Sequence, residues 1–241
     1  MLKKVEGIIV KETAFGETSK IINILTEDGI IGVMAKGARV LKSPLRSFTL
    51  SLTYADFNLY YREDKLSTLK SVDVIDDFSN IKKDITLISY MTYLCDLASQ
   101  VMKQNTNKDI YNLLISALIK INNGLNPMII SNIYELKLLD YLGVGINFNA
   151  CAKCGNKADI ITIDPDIGGY ICKNCYENET IYDDKTLKML RMYYLVDINS
   201  ISDLKISDIV INNINYFINT YYDRYTGLYL KSKKFLEEMI N

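Results

Sequence analysis

The spacing of apolar residues changes once, near residue 78, from a period of about two to one of about three and a half, and no single kind of element serves both. Upstream of the change the chain reads as strands. Gly7-Ile8-Ile9-Val10, Ile21 to Leu25 and Ile30 to Ala35 are short β-branched runs, parted by Phe15-Gly16-Glu17 and by the hairpin dipeptide Asp28-Gly29. From Phe48 to Tyr54 apolar residues alternate with Thr49, Ser51 and Thr53, which predicts a strand burying Phe48, Leu50, Leu52 and Tyr54 on one face. After Ala55-Asp56 the apolar set moves to Phe57, Leu59 and Tyr61, and a change of parity inside a strand implies an extra residue and a bend. With a last strand from Leu66 to Ile75, five bent strands in about 70 residues suit a small closed barrel better than an open sheet. Periodicity alone leaves an SH3-like barrel open.

Downstream, Leu87, Met91, Leu94, Ala98 and Val101 mark one helical stripe, and Cys95 falls on its inner side as a core residue. Ile110, Leu113, Leu114, Ala117, Leu118 and Ile121 mark a second helix, stopped by Asn123-Gly124. Asn126-Pro127 supplies an N-cap and a first-turn proline for a third helix, which runs to Leu142 and stops at Gly143. A short helix is expected around Lys185 to Val196. A long one opens at Ser207, with a stripe of Ile209, Ile214, Phe217, Ile218, Tyr221 and Tyr225. The expected fold class is α+β: a five-stranded barrel over residues 1–78, then a helical domain over 79–241 with a cysteine module inserted at about 148–178.

Composition removes whole classes of function. Lys and Arg number 28 against 29 Asp and Glu, so attraction to a polyanion has to come from clustered charge. Histidine is absent, and with it the usual general base near neutral pH, Ser-His-Asp chemistry and any imidazole metal ligand. The apolar run after Lys3-Lys4 is broken at Glu6 and again at Lys11-Glu12, unlike a signal peptide. No apolar run approaches the ~18 residues of a membrane span. The expected location is the cytoplasm, where the cysteines serve as thiols or metal ligands.

Cys151-Ala152-Lys153-Cys154 and Cys172-Lys173-Asn174-Cys175 form two C-x-x-C pairs separated by residues 155–171, the spacing of a zinc ribbon or knuckle. A two-residue gap lets both thiolates of a pair face one ion, and the loop between pairs closes the tetrahedron. Gly155 and Gly168-Gly169 provide the tight turns. Four thiolates leave no open position for water or substrate, so the expected Zn2+ is structural. A redox dithiol, a metal-free site and an iron–sulfur cluster are the competing readings.

Between Asp28 and Asp56 there is no acidic residue, while Lys36, Arg39, Lys42 and Arg46 are all present in the loop leaving the third strand. Small barrels of this kind bind single strands along a basic groove, with aromatic faces receiving bases. Tyr54, Tyr60 and Tyr61 are the candidates for stacking, Tyr54 being the weakest because alternation places it in the core. The competing view is that four charges in a solvated loop keep the domain soluble.

Four stretches occur in a telling order: Gly7-Ile8-Ile9-Val10 with Phe15-Gly16-Glu17-Thr18-Ser19-Lys20; Ala35-Lys36-Gly37-Ala38-Arg39 with Lys42-Ser43; Tyr134 to Gly143 leading to Cys151-x-x-Cys154-Gly155; and Leu230-Lys231-Ser232-Lys233-Lys234-Phe235-Leu236. Together they resemble the RecO family of bacterial DNA repair proteins over nearly the full length, in its zinc-bearing branch. Tyr229 to Lys233 lacks the prolines often found there. The resemblance implies an N-terminal OB-fold, a helical domain with the zinc module, and no catalysed bond-making. It further implies binding of single- and double-stranded DNA, annealing of complementary strands and, with RecR, loading of RecA onto DNA coated by single-strand-binding protein. Contact with the acidic, hydrophobic tail of that coating protein is expected on the helical domain, and the setting is the bacterial nucleoid. The rivals are an enzyme, either a metal-dependent nuclease or a thiol oxidoreductase, and a protein-only adaptor. Against the enzyme, the compact acidic pair of Asp164-Pro165-Asp166 reads as a turn.

Overall fold

A computed structural model describes residues 1–63 and 65–240. Five strands, β1 (Leu2–Phe15), β2 (Ser19–Thr26), β3 (Gly29–Ala35), β4 (Tyr54–Tyr60) and β5 (Ser67–Asp76), close into a barrel in the order β1-β2-β3-β5-β4. β1 closes it by pairing antiparallel with β4 through Leu2 to Ile8 and with β2 through Ile8 to Phe15, bending at a register shift between Ile9 and Lys11. β3 and β5 meet in parallel. This order is that of an OB barrel, which disposes of the SH3-like alternative. Ile9, Ile22, Ile24, Val33, Ala55, Phe57 and Leu59 fill the interior. Gly7 is there for a close approach, since a Cβ would sit 2.6 Å from the carbonyl oxygen of Leu25.

The strand expected from Phe48 to Tyr54 is not formed. Pro44 opens a one-turn helix, α1 (Leu45–Phe48), and the Thr49 hydroxyl donates back to the Leu45 carbonyl at 2.5 Å. Phe48 and Leu50 are exposed while Thr49 and Thr53 are buried, contrary to expectation, whereas Leu52 and Tyr54 are buried as expected. Leu52 takes a left-handed backbone (φ 64°), and Ile9 exchanges backbone bonds with this end of the loop, accepting from Leu52 and donating to Thr53. The bulge implied by the parity change is present, as a register shift between Tyr54 and Ala55 against β5.

Beyond a 3-10 turn at Ile81–Lys83 the chain is helical: α2 (Ile85–Gln104), α3 (Lys108–Asn122) and α4 (Pro127–Tyr141). Short polar side chains cap all three starts, where the first-turn amides have no partner within the helix: Asp84, Asn107 and Asn126 each accept from them. Gly124 and Gly143 stop the second and third helices with φ of 90° and 73°. Three short strands, β6 (Asn147–Cys151), β7 (Ile160–Asp164) and β8 (Gly169–Cys172), form a sheet in the order β6-β8-β7. Then come α5 (Asp184–Leu195), α6 (Asp208–Tyr225) and α7 (Lys231–Ile240). The buried side of α6 is Val210, Ile211, Ile214, Phe217, Ile218, Tyr221 and Tyr222; Ile209 is exposed, and Ser207 makes no side-chain cap bond.

Packing groups the chain into two compact units. One is Met1–Gly124 together with the chain from Leu230 onward; the other is Leu125–Tyr229. In the first, α2 packs on α3 and α7 as well as on the barrel strands. Ser232 donates to Asp96 at 2.6 Å, and the Lys233 ammonium lies 5.1 Å from the centroid of the Tyr93 ring. The Glu6 carboxylate on β1 accepts from both Tyr54 (2.6 Å) and Tyr111 of α3 (3.2 Å). In the second unit α4 is buried nearly all round, including Asn132 and Glu135, with α5 and α6 packed against it. Among the described residues no helix is long and apolar enough to cross a membrane.

Candidate metal centre and nucleic-acid interface

The four cysteines meet. The Sγ atoms of Cys151, Cys154, Cys172 and Cys175 all lie within 4.8 Å of one another, and Cys154 and Cys172 are 3.6 Å apart. Tetrahedral zinc at ~2.3 Å from each sulfur would set them about 3.8 Å apart, so the donor set fits such an ion. Cys151 ends β6 and Cys172 ends β8, so each pair starts from a strand and turns back within two residues. In the first turn the Gly155 amide donates to the Cys151 carbonyl at 2.8 Å, with Gly155 at φ 76°. In the second the Cys175 amide donates to the Cys172 carbonyl at 3.0 Å. The Ala152 amide bonds the Tyr170 carbonyl at 2.7 Å, which joins the first turn to β8.

Burial opposes ionisation of Cys151, yet the amides of Cys172, Cys154 and Lys153 outweigh it and hold the thiol at about 6. Cys175 is pushed up to about 12, first by its hydrogen bond with Cys154. Four sulfurs this close cannot all be thiolates without a cation among them, and a divalent ion removes that conflict. Cys95 lies apart on α2, buried, with its thiol pushed well above the ordinary range by desolvation.

One participant was not read from the sequence. Lys153, between the first two cysteines, donates to the Cys175 carbonyl at 3.1 Å and to Glu179 at 2.7 Å, and so ties the two turns together. The signal available was a lysine inside one C-x-x-C with Glu177 and Glu179 just past the other. Asp164-Pro165-Asp166 forms a turn, as its composition suggests: the Asp164 side chain accepts from the Ile167 amide at 2.9 Å, and Asp166 pairs with Arg224.

Lys36, Arg39, Lys42 and Arg46 all stand exposed in the connection between β3 and β4. This connection is anchored inward by Ala38, which is fully buried, and by Leu45, which packs on the barrel core. Among the described residues no ion pair engages any of the four cations. The Arg39 guanidinium donates to the Gly16 carbonyl at 2.7 Å, a neutral acceptor that leaves its charge unneutralised. Lys3 and Lys4 on β1 differ, being paired with Asp28 (3.9 Å) and Asp56 (2.8 Å). Of the three tyrosines, Tyr54 is not available to a base: it is buried, stacked on Phe78 at 6.0 Å and bonded to Glu6. Tyr60 is exposed, and Tyr61 is half-buried with the Lys3 ammonium 4.9 Å from its ring centroid.

A closed five-stranded OB barrel, helices packed on it, and a four-sulfur cluster able to hold a metal define an α+β protein of the oligonucleotide-binding barrel class. The family model described as Recombination protein O N terminal matches residues 1–78, and that described as Recombination protein O C terminal matches residues 82–234. Among similar proteins, the DNA repair protein RecO of Listeria monocytogenes serotype 4b (strain CLIP80459) is 33% identical over 243 residues, covering 99% of this chain and 95% of its own. Those of Bacillus cytotoxicus and Bacillus cereus (strain AH187) are 32% and 31% identical over 244 residues, covering 99% of this chain and 98% of theirs. The chain belongs to the RecO family of DNA repair and recombination proteins.

Proposed function

We propose that the chain is a recombination mediator that binds single- and double-stranded DNA through Lys36, Arg39, Lys42 and Arg46, anneals complementary strands and, with RecR, helps load RecA onto DNA coated by single-strand-binding protein. Residues 1–78 are the DNA-binding domain in this reading. Residues 79–241 carry the contact with the tail of the coating protein, and the module at about 148–178 holds a structural Zn2+ on Cys151, Cys154, Cys172 and Cys175. The protein works in the bacterial cytoplasm at the nucleoid. Family membership supports the repair role.

The observation that carries DNA binding is the set of four exposed cations, none held in an ion pair among the described residues, on one connection across the barrel. Lysine and arginine in that state release condensed counterions when they meet phosphates, and that release drives affinity independently of sequence. A strand held by its backbone keeps its base edges free to meet a complementary strand. The zinc supplies folding free energy to the module and no reactive group.

The test is replacement of all four cations by alanine, with DNA binding and annealing rates compared with the parent protein. Strongly reduced binding and annealing at an unchanged Tm is expected. Undiminished annealing would overturn the assignment.

A further inference from the structure

The connection that carries the cations also leaves large apolar side chains in solvent. Leu41 is 81% exposed, Leu50 47%, Val40 44% and Phe48 41%. Single exposed apolar residues are ordinary on a protein surface, whereas several on one segment mark a binding surface. This segment is well ordered by its own backbone: Val40 donates to the Gly37 carbonyl, Ser43 to Val40 and Arg46 to Ser43, at 3.0 to 3.1 Å. It is also tied to the turn between β1 and β2, where the Arg39 amide donates to the Thr18 carbonyl at 2.8 Å and the Gly37 amide to the Ser19 hydroxyl at 3.2 Å. Ala38 and Leu45 turn into the barrel, while Leu41 and Phe48 stand exposed on the same connection as Lys42 and Arg46.

We propose that Leu41 and Phe48 receive the unpaired bases of a single strand whose phosphates lie on Lys36, Arg39, Lys42 and Arg46. This rests on the DNA-binding reading above and names the form of nucleic acid that the surface prefers. Charge selects the occupant. The segment has no carboxylate of its own from residue 29 to residue 55. Glu12, whose carboxylate reaches the Ser51 amide at 3.4 Å, is paired with Lys20 at 2.5 Å. Exposed apolar side chains interspersed along one connection with cations that no described residue pairs suit a ligand that is anionic along its backbone and flat and apolar to one side. A single strand is such a ligand, because its bases can be laid on an aromatic face, whereas a duplex keeps its bases stacked inside and offers chiefly phosphates. Phe48 is the stacking platform and Leu41 the flanking wedge.

The chain has no tryptophan, so Phe48→Trp places a single reporter on this surface. Its fluorescence should be quenched by an oligothymidylate and left unchanged by an abasic strand of equal length or by duplex. A second variant, Leu41→Ser with Phe48→Ala, should lose about tenfold or more in affinity for the oligothymidylate. It should keep its affinity for the abasic strand, its salt dependence and its Tm. Should this double variant bind the oligothymidylate as the parent does while the four-alanine variant fails to bind, the base-receiving role is wrong and the DNA-binding reading survives. Should the four-alanine variant also bind normally, both fall. Quenching by an acidic, apolar peptide but not by DNA would make this a protein-docking surface and overturn the inference.

Discussion

The salt dependence of single-strand binding tests the interface at the level of individual charges. Each cation that neutralises a phosphate of a single strand contributes about −0.7 to the slope of log affinity against log salt, so four give about −2.8. Raising salt from about 50 to about 200 mM should then weaken binding through this surface about 50-fold, and about 20-fold in a variant lacking one contact. The structure says which lysines should matter. Lys42 is exposed and in no ion pair among the described residues, so Lys42→Ala should flatten the slope by about 0.7. Lys4 is held by Asp56 at 2.8 Å, and its ammonium is raised above its ordinary range first by that hydrogen bond, then by the Asp56 charge. Lys4→Ala should therefore leave the slope nearly unchanged. Arg39→Lys keeps the charge and loses the fork that reaches Gly16, so the slope should persist while affinity drops. Fluorescence anisotropy titrations of a labelled oligonucleotide at four or more salt concentrations measure all of this. Equal changes in Lys4→Ala and Lys42→Ala, or a full slope in the four-alanine variant, would refute the reasoning.

Gly7→Ala should destabilise the first unit by about 1–3 kcal/mol, because the new methyl meets the Leu25 carbonyl and the Ile24 side chain inside the barrel; an unchanged urea midpoint would contradict that packing. Cys172→Ser should abolish binding of one metal ion per chain and raise amide exchange across residues 147–178, and full metal content in this variant would rule out the four-sulfur site. Stability should fall above pH ~10. Tyr54 and Tyr111 are raised above the ordinary tyrosine value by burial first, and Tyr221 is pushed up to about 12 by burial and then by Tyr225. The folded chain therefore keeps protons that the unfolded chain gives up near pH 10, so their contribution is complete below that pH and is lost as pH climbs toward 12. A urea midpoint that holds constant from pH 9 to about 11.5 would contradict this.

What could be read from the residues was what depends on near neighbours. The two C-x-x-C pairs declare their chemistry within four residues each, and the helix starts at Asn126-Pro127 and stops at Gly143 are set by backbone groups one turn away. The strands of the cysteine module escaped because β6, β7 and β8 are only four or five residues long and owe their pairing to long-range backbone bonds rather than to an apolar period. Helix α7 escaped for a related reason. Phe235, Leu236, Met239 and Ile240 do recur at helical spacing, but over ten residues only, and its partners Asp96 and Tyr93 lie far back on α2.

The segment from Phe48 to Tyr54 shows how a strong local pattern can be overruled. Alternating apolar and β-branched polar residues favour a strand. Burying Leu45 against the barrel, however, starts a helical turn after Pro44, and the Thr49 hydroxyl completes it by bonding the Leu45 carbonyl. Once that turn forms, Phe48 and Leu50 have nowhere to go but outward. The same tertiary choice decides which charges are usable. Lys4 and Lys42 look alike in the sequence, yet the pairing of β1 with β4 brings Asp56 within 2.8 Å of the first, while the turn across the barrel leaves the second without an acid among the described residues. Local pattern therefore supplies the residue types of the proposed nucleic-acid surface, and the barrel's closure decides which of its cations lie beside an acid.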